Sequence, residues 1–261
     1  MTVAPRQNNG SIALHDVCVE LGGQAVLREI SLRIEPGEQV AFLGPSGAGK
    51  TTLLRLLNAM VSPSAGRVEV GGRDVAGLDA GALRQLRSSV GFVHQDLRLV
   101  PNLRVSQNVL SGKLGAQSLA GSLRMFLRPR GSDLDQAHEL LRRVGIPDKI
   151  FQRTDRLSGG EAQRVAVARA LIQQPSVLAA DEPVASVDPA RAREVLDLLT
   201  GLCAQDGLTL CVSLHDPELA RRCFPRIIGL RAGRIAFDSP AADLDQRRLR
   251  ELYELEAPDG L

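Results

Sequence analysis

The sequence predicts an α/β fold: a parallel sheet with flanking helices, an N-terminal antiparallel β subdomain before it and a helical subdomain inserted within it. Three observations predict this. In the second half of the chain, helical patterns at 164–172 and 190–205 alternate with short apolar runs at 177–180 and 208–214, as a parallel sheet with crossover helices requires. Near the start, β-type runs at 17–21, 30–34 and 39–43 are separated by Gly22-Gly23 and Pro36-Gly37, which suggests a small, mainly antiparallel sheet leading into the core. Between these regions, 105–156 is dominated by helical patterns broken at Gly112, Gly115, Gly121, Pro129 and Pro147.

The elements follow in order. The run 39–43 delivers the chain to a Gly-rich loop, and 51–60 carries leucines at helical spacing until Ser62-Pro63-Ser64-Ala65-Gly66 ends the helix. Residues 68–70 and 90–93 read as further strands with a helical 82–87 between them, and 227–231 with 234–237, joined through Ala232-Gly233, reads as a closing hairpin. A short charged helix over about 243–254 ends the chain, and no internal repeat is present. We expect one domain at 12–244, with 96–163 as its helical subdomain, and a short C-terminal tail at 245–261.

Bulk properties narrow the field. Hydrophobic residues at 44% and charged residues at 24% are ordinary globular values, so disorder is not the default. A net charge of +2 gives no broad basic field, which argues against nucleic acid as a partner. Of 32 basic residues only Lys50, Lys113 and Lys149 are lysine. Cys18, Cys203, Cys211 and Cys223 lack C-x-x-C spacing and a nearby ligand-spaced His, so neither zinc nor a disulfide framework is indicated and a reducing compartment fits. No run approaches a membrane span, and residues 1–10 are polar without an apolar signal core, so we expect a chain that is soluble or held at a membrane through a partner.

Three motifs carry the chemistry. Gly44-Pro45-Ser46-Gly47-Ala48-Gly49-Lys50-Thr51 fits G-x-x-x-x-G-K-[ST], the phosphate loop of a P-loop NTPase core. Its glycines let backbone N–H groups turn toward phosphate oxygens, the following helix directs its positive end at them, Lys50 would neutralise the β- and γ-phosphates and the Thr51 hydroxyl would ligate Mg²⁺. The apolar run 177–180 ends in Asp181, placed to reach Mg²⁺, and Glu182, placed to act as general base toward water. Leu157-Ser158-Gly159-Gly160-Glu161-Ala162-Gln163-Arg164 opens a helix. A serine N-cap is commonplace, but two glycines weaken a first turn by up to about 1 kcal/mol each and make sense where backbone must approach an anion closely. Together these read as an ATP-driven motor subunit.

On these residues the chain resembles the nucleotide-binding subunit of an ATP-binding cassette (ABC) transporter. The resemblance makes Leu157 to Glu161 the signature motif, Gln95 the glutamine of the Q-loop, Ala185-Ser186-Val187-Asp188 the D-loop and His215 the switch histidine. It implies a head-to-tail dimer of two copies in which the P-loop, with Thr52 behind it, faces the partner's Ser158, Gly159 and Gly160 across each ATP, with Asp188 at the same interface. It further implies that His215 contacts the γ-phosphate and that Gln95 touches the metal and the attacking water. Two departures stand out. The usual adenine-stacking aromatic is replaced by Leu21, and the usual glutamine of the signature is Glu161, a carboxylate close to where a phosphate would sit.

A single cassette without a fused membrane domain resembles a bacterial importer component, working on transmembrane permease subunits and, indirectly, a periplasmic solute-binding protein. Its expected location is the cytoplasmic face of the inner membrane. Leu53 to Asn58, Leu99-Val100-Pro101, Ala180 to Pro189 and Arg226 to Arg234 resemble the ATPase of phosphonate uptake, so phosphonate or a related phosphorus oxyanion is the expected substrate, with amino acids or other small polar solutes as the alternative. The segment 96–130, rich in arginine, is the expected permease contact. An ABC ATPase acting on nucleic acid or ribosomes would carry a long coiled coil, a zinc hook or a second cassette, none of which appears.

Overall fold

The computed structural model describes residues 9–185 and 189–253. In chain order the elements are β1 (Ile12–Leu21), β2 (Gln24–Ile34), β3 (Gln39–Leu43), α1 (Lys50–Leu57), β4 (Ala65–Val70), β5 (Arg73–Asp74), α2 (Ala80–Ser89) and β6 (Val90–Val93). The helical stretch follows as α3 (Val105–Ser111), α4 (Leu119–Leu127), α5 (Gly131–Arg143) and α6 (Gly159–Leu171). The chain continues through β7 (Val177–Asp181), α7 (Pro189–Asp206), β8 (Thr209–Leu214), α8 (Pro217–Cys223), β9 (Arg226–Arg231), β10 (Arg234–Pro240) and α9 (Gln246–Tyr253).

Two sheets form. The antiparallel sheet has the order β2-β1-β4-β5, and the larger one has the order β10-β9-β3-β8-β7-β6, parallel throughout except for the β9–β10 hairpin. The run 39–43, grouped with the antiparallel strands on sequence, is instead β3 at the centre of the parallel sheet, and 68–70 belongs to β4 in the antiparallel sheet. Burial on both faces explains the continuous apolar runs of the large sheet. On β3, Val40 and Phe42 join the core beneath α1 and the antiparallel sheet, while Ala41 and Leu43 join the core shared with α3, α5, α6 and α7.

Boundaries moved where backbone geometry carries no obvious sequence sign. β1 begins at Ile12 rather than 17 because Asp16 adopts a left-handed φ of 47° in a bulge, and its N–H donates to Ser31 Oγ at 2.8 Å, which breaks the period-2 pattern. α1 stops at Leu57 rather than 60 in a Schellman cap: Met60 N–H reaches Arg55 O and Ala59 N–H reaches Leu56 O, both at 3.0 Å. The left-handed position, φ 53°, is filled by Ala59 where glycine is usual. The short α8, capped by Asp216, was not foreseen.

Arg226 fastens the two sheets together. Its Nη1 donates to Arg33 O in β2 at 2.9 Å and to Glu38 Oε2 at 3.0 Å, while Nε and Nη2 grip the Asp238 carboxylate of β10 at 2.8 and 2.6 Å. Each of the three charged side chains is held by these bonds, and they border a cleft of about 760 Å³ lined also by Gly37, Gln39, Pro225 and Pro240. Arg226→Met takes the guanidinium from Asp238 and from the Arg33 carbonyl and leaves Glu38 with the Glu35 N–H at 2.7 Å; we expect a loss of about 1–3 kcal/mol of unfolding free energy, seen as a lower urea midpoint with unchanged m-value.

Candidate functional site

Three segments converge at the C-terminal ends of β3, β8 and β7, where a doubly wound sheet places its ligands. The loop between β3 and α1 turns at Gly47 (φ 79°) and Gly49 (φ 101°), the latter serving as N-cap of α1. A Cβ on Gly49 would lie 2.6 Å from Leu27 Cδ2 and 3.1 Å from Val26 O, so both backbone angle and space demand glycine there. Ser46 and Gly47 are exposed, whereas Gly44, Ala48, Gly49, Lys50 and Thr52 are buried and Pro45 and Thr51 half-buried.

Lys50 is nearly sealed at 4% exposure, and its Nζ donates to Gly44 O at 2.7 Å and Pro45 O at 3.0 Å. Burial lowers its pKa, a trend opposed by the charges of Glu182 and Asp181. Its Nζ also lies 3.9 Å from Glu182 Oε1 and 3.4 Å from His215 Nδ1. His215 Nε2 meets Glu182 Oε2 at 2.6 Å. Asp181, at the end of β7, accepts from Thr51 Oγ1 at 2.9 Å and from Ser213 Oγ at 2.9 Å, and Ser213 Oγ in turn accepts from Glu182 N–H at 2.8 Å. A cavity of about 140 Å³ borders Glu182, Ser213 and His215.

Lys50, Thr51, Asp181, Glu182 and His215 are thus brought together. Gln95 stays apart: it is exposed in the turn after β6 and makes no hydrogen bond to Thr51, Asp181 or Glu182. Asp188 lies outside the described residues. Leu21, at the expected adenine position, is 45% exposed. Ser158 caps α6 and is exposed together with Gly159, Gly160 being half-buried. A Cβ added at Gly159 or Gly160 would meet nothing within 4 Å, and neither has a positive φ, so nothing among the described residues requires glycine at either position.

Sequence reasoning missed two residues here. Ser213 is, with Thr209, one of two polar side chains in the otherwise apolar run 208–214, and its place near the end of that run was the available signal. Tyr253 of α9, in the segment read as a tail, donates its hydroxyl to His215 O at 2.7 Å. The donor set of Thr51 and Asp181, two hard oxygens 2.9 Å apart, fits Mg²⁺, which keeps several waters and takes one or two protein ligands besides substrate phosphates. No group of three or more His, Cys, Asp or Glu suited to a metal occurs among the described residues.

The description of the ABC transporter family matches residues 27–185. This chain belongs to the ABC transporter family. It is 52% identical over 89% of its length to the phosphonates import ATP-binding protein PhnC of Anaeromyxobacter dehalogenans, spanning 46% of that longer relative. With PhnC 2 of Pseudomonas aeruginosa it shares 49% identity over 90% of this chain and 87% of the relative. A dimeric ATP-binding cassette in a post-hydrolysis state, bound to ADP and Pi, superposes with a TM-score of 0.74 at 30% identity, covering 88% of this chain and 98% of that one. The ABC fold, with its antiparallel subdomain and helical insertion, is therefore the fold of this chain. No helix among the described residues is long and apolar enough to cross a membrane.

Ser213→Ala removes the bridge between Asp181 and the Glu182 amide. We expect about a 10-fold fall in ATP hydrolysis with ATP binding retained, since one buried hydrogen bond worth about 1–1.5 kcal/mol is lost at the reacting end of the site. His94, whose ring lies tilted by 35° against Phe92 at 4.5 Å between centroids, has its pKa pushed down to about 4 by burial and then by Arg98 and Arg169. The unfolded chain therefore binds the proton first: stability is full above about pH 6.5 and falls as pH drops toward about 4. Discounted for its partial exposure, the effect is on the order of 1 kcal/mol at pH 5, and His94→Gln should unfold in urea with a correspondingly smaller difference between pH 7 and pH 5.

Proposed function

We propose that this chain is the ATP-hydrolysing subunit of a bacterial ABC importer that drives uptake of phosphonate or a related phosphorus oxyanion. The observation that supports the motor reading most directly is the junction of Lys50, Glu182 and His215 above a carboxylate, Asp181, that is already fixed by Thr51 and Ser213. Two relatives named for phosphonate import, at 52% and 49% identity, support the substrate.

Nucleotide phosphates enter the loop of Gly44, Pro45, Ser46, Gly47, Ala48 and Gly49, whose N–H groups and the first turn of α1, with Lys50, Thr51 and Thr52, receive them. Lys50 exchanges its carbonyl acceptors for β- and γ-phosphate oxygens. Thr51 and Asp181, with Gln95 once its turn closes, would hold Mg²⁺, which offsets charge on the phosphates. Glu182 takes a proton from the attacking water as that oxygen bonds to the γ-phosphorus and the bond to the β–γ bridging oxygen breaks, leaving ADP and phosphate. His215, released from Glu182, donates to the γ-phosphate.

Ser158, Gly159 and Gly160 act in trans. The exposure of Ser158 and Gly159 and the empty space beside both glycines fit a face that receives the ATP of a second copy, as does the likeness to a dimeric cassette. Asp188 belongs to the same head-to-tail interface in this reading. Residues 12–244 form the nucleotide-binding unit, 96–163 its helical subdomain and 245–261 a tail. The partners are permease subunits at the cytoplasmic face of the inner membrane, with a periplasmic binding protein reached only through them.

Glu182→Gln should bind MgATP, accumulate as a dimer by light scattering and lose about 100-fold or more of the hydrolysis of the assembled complex, the span of a general base. Undiminished hydrolysis would remove Glu182 from that role. Deleting the gene, and any paralogue, should abolish growth on phosphonate as sole phosphorus source while sparing growth on phosphate; unchanged growth on phosphonate would sink the substrate assignment.

A further inference from the structure

Glu161 poses an electrostatic problem that its surroundings answer. It occupies the third position of α6, where its Oε2 accepts from Ser158 N–H at 2.8 Å and from the Ser158 hydroxyl at 3.0 Å, and Ser158 Oγ accepts from Glu161 N–H at 3.3 Å. The single proton of the serine hydroxyl is committed to the carboxylate. A carboxylate in a first turn also uses up part of the positive end of the helix, the feature that would draw a phosphate to Gly159 and Gly160. Unbalanced, it would oppose an incoming polyphosphate.

It is balanced. Glu161 Oε1 lies 3.1 Å from Lys149 Nζ, and each side chain is about a quarter exposed, 28% for Lys149 and 26% for Glu161. Lys149 stands in the turn Pro147–Lys149 that follows α5, so the cation arrives from a separate segment of the chain and not from α6 itself. It is also 3.6 Å from Asp148 Oδ2, the longer of its two contacts. The bonds from Ser158 and then Lys149 hold the Glu161 carboxyl below the usual range, and Glu161 raises the Lys149 ammonium, so both are charged at neutral pH and protonation does not remove the problem. Of three lysines in the chain, one is in the phosphate loop and one is here.

We propose that Lys149 is a positioning residue for the signature motif: its ion pair neutralises Glu161 and holds it by Oε1, so that Oε2 can yield the Ser158 hydroxyl to a nucleotide phosphate presented by a second copy. This rests on the dimer reading above. A glutamine at position 161 would offer the same cap through its carbonyl oxygen with no charge, so the need for Lys149 is created by Glu161 alone.

The test is ATP titration of the full chain carrying Glu182→Gln, with dimer mass read by light scattering. Adding Lys149→Met should raise the ATP concentration for half-maximal dimerisation by on the order of 5-fold, the scale of one exposed ion pair. Lys149→Arg should stay near the parent, and Glu161→Gln added to Lys149→Met should restore the parent value, a rescue that a purely structural role for Lys149 would not give. A dimerising parent whose ATP dependence is unmoved by Lys149→Met, or a defect that Glu161→Gln does not repair, overturns the proposal. A parent that remains monomeric at saturating ATP overturns the dimer reading, and the proposal with it.

Discussion

One carboxylate oxygen ties the site together. Asp181 Oδ1 accepts from a hydroxyl 130 residues earlier, Thr51, and from one 32 residues later, Ser213, each at 2.9 Å. These two bonds fix the end of β7 to the start of α1 and to β8. The Asp181 side chain is only 4% exposed, so without them it would be a charge buried with little compensation. Everything nearby inherits that geometry: the Glu182 amide hangs from the same Ser213 oxygen, and Lys50 and His215 meet Glu182 on either side.

Much of this was legible because the chemistry needs contiguous residues. Gly44 to Thr51 and Asp181-Glu182 are local patterns, and local patterns survive in one dimension. What failed was long-range or lay in backbone geometry. The short apolar run 39–43 reads as a strand whichever sheet it joins, and only pairing with β8 and β9 decides. Ala59 in a left-handed cap sends no glycine signal, and Asp16 hides a bulge inside a strand. Ser213 and Lys149 matter through partners 31 and 12 residues or more away in sequence, so no window centred on either shows its role. Gln95 was placed by order along the chain, and order does not give the conformation of an exposed turn.

The turn after β6 is nonetheless not free to go anywhere. Leu97 and Arg98 both have left-handed backbones, at φ 54° and 47°, and their carbonyls accept from the two terminal nitrogens of Arg169 at 2.6 Å. Arg169 lies two turns or more along α6, the helix whose first turn carries Ser158, Gly159 and Gly160. A rigid helix therefore joins the outward-facing glycines at one end to the Gln95 turn near the other. Displacement of either end would be felt at the other through two charge-assisted hydrogen bonds rather than through side-chain packing alone.

Glu182 shows how a reactive group is aimed by its backbone. Its φ of 46° is uncommon for a residue with a Cβ, and the following Pro183 disfavours helical backbone before it, so this conformation costs energy that the surroundings must supply. They do so at both ends of the residue. Ser213 Oγ accepts its N–H, His215 and Lys50 contact its carboxylate, and Ala185 N–H closes the turn onto its carbonyl at 3.2 Å. With the backbone held this way, the carboxylate can exchange His215 for a water without losing its direction. His215 is restrained in turn from behind, where Tyr253 donates to its carbonyl at 2.7 Å, while its imidazole is 42% exposed on the side of the site. Rigid backbones carrying side chains free to change partners are what a site requires if it must close on ATP and reopen on ADP.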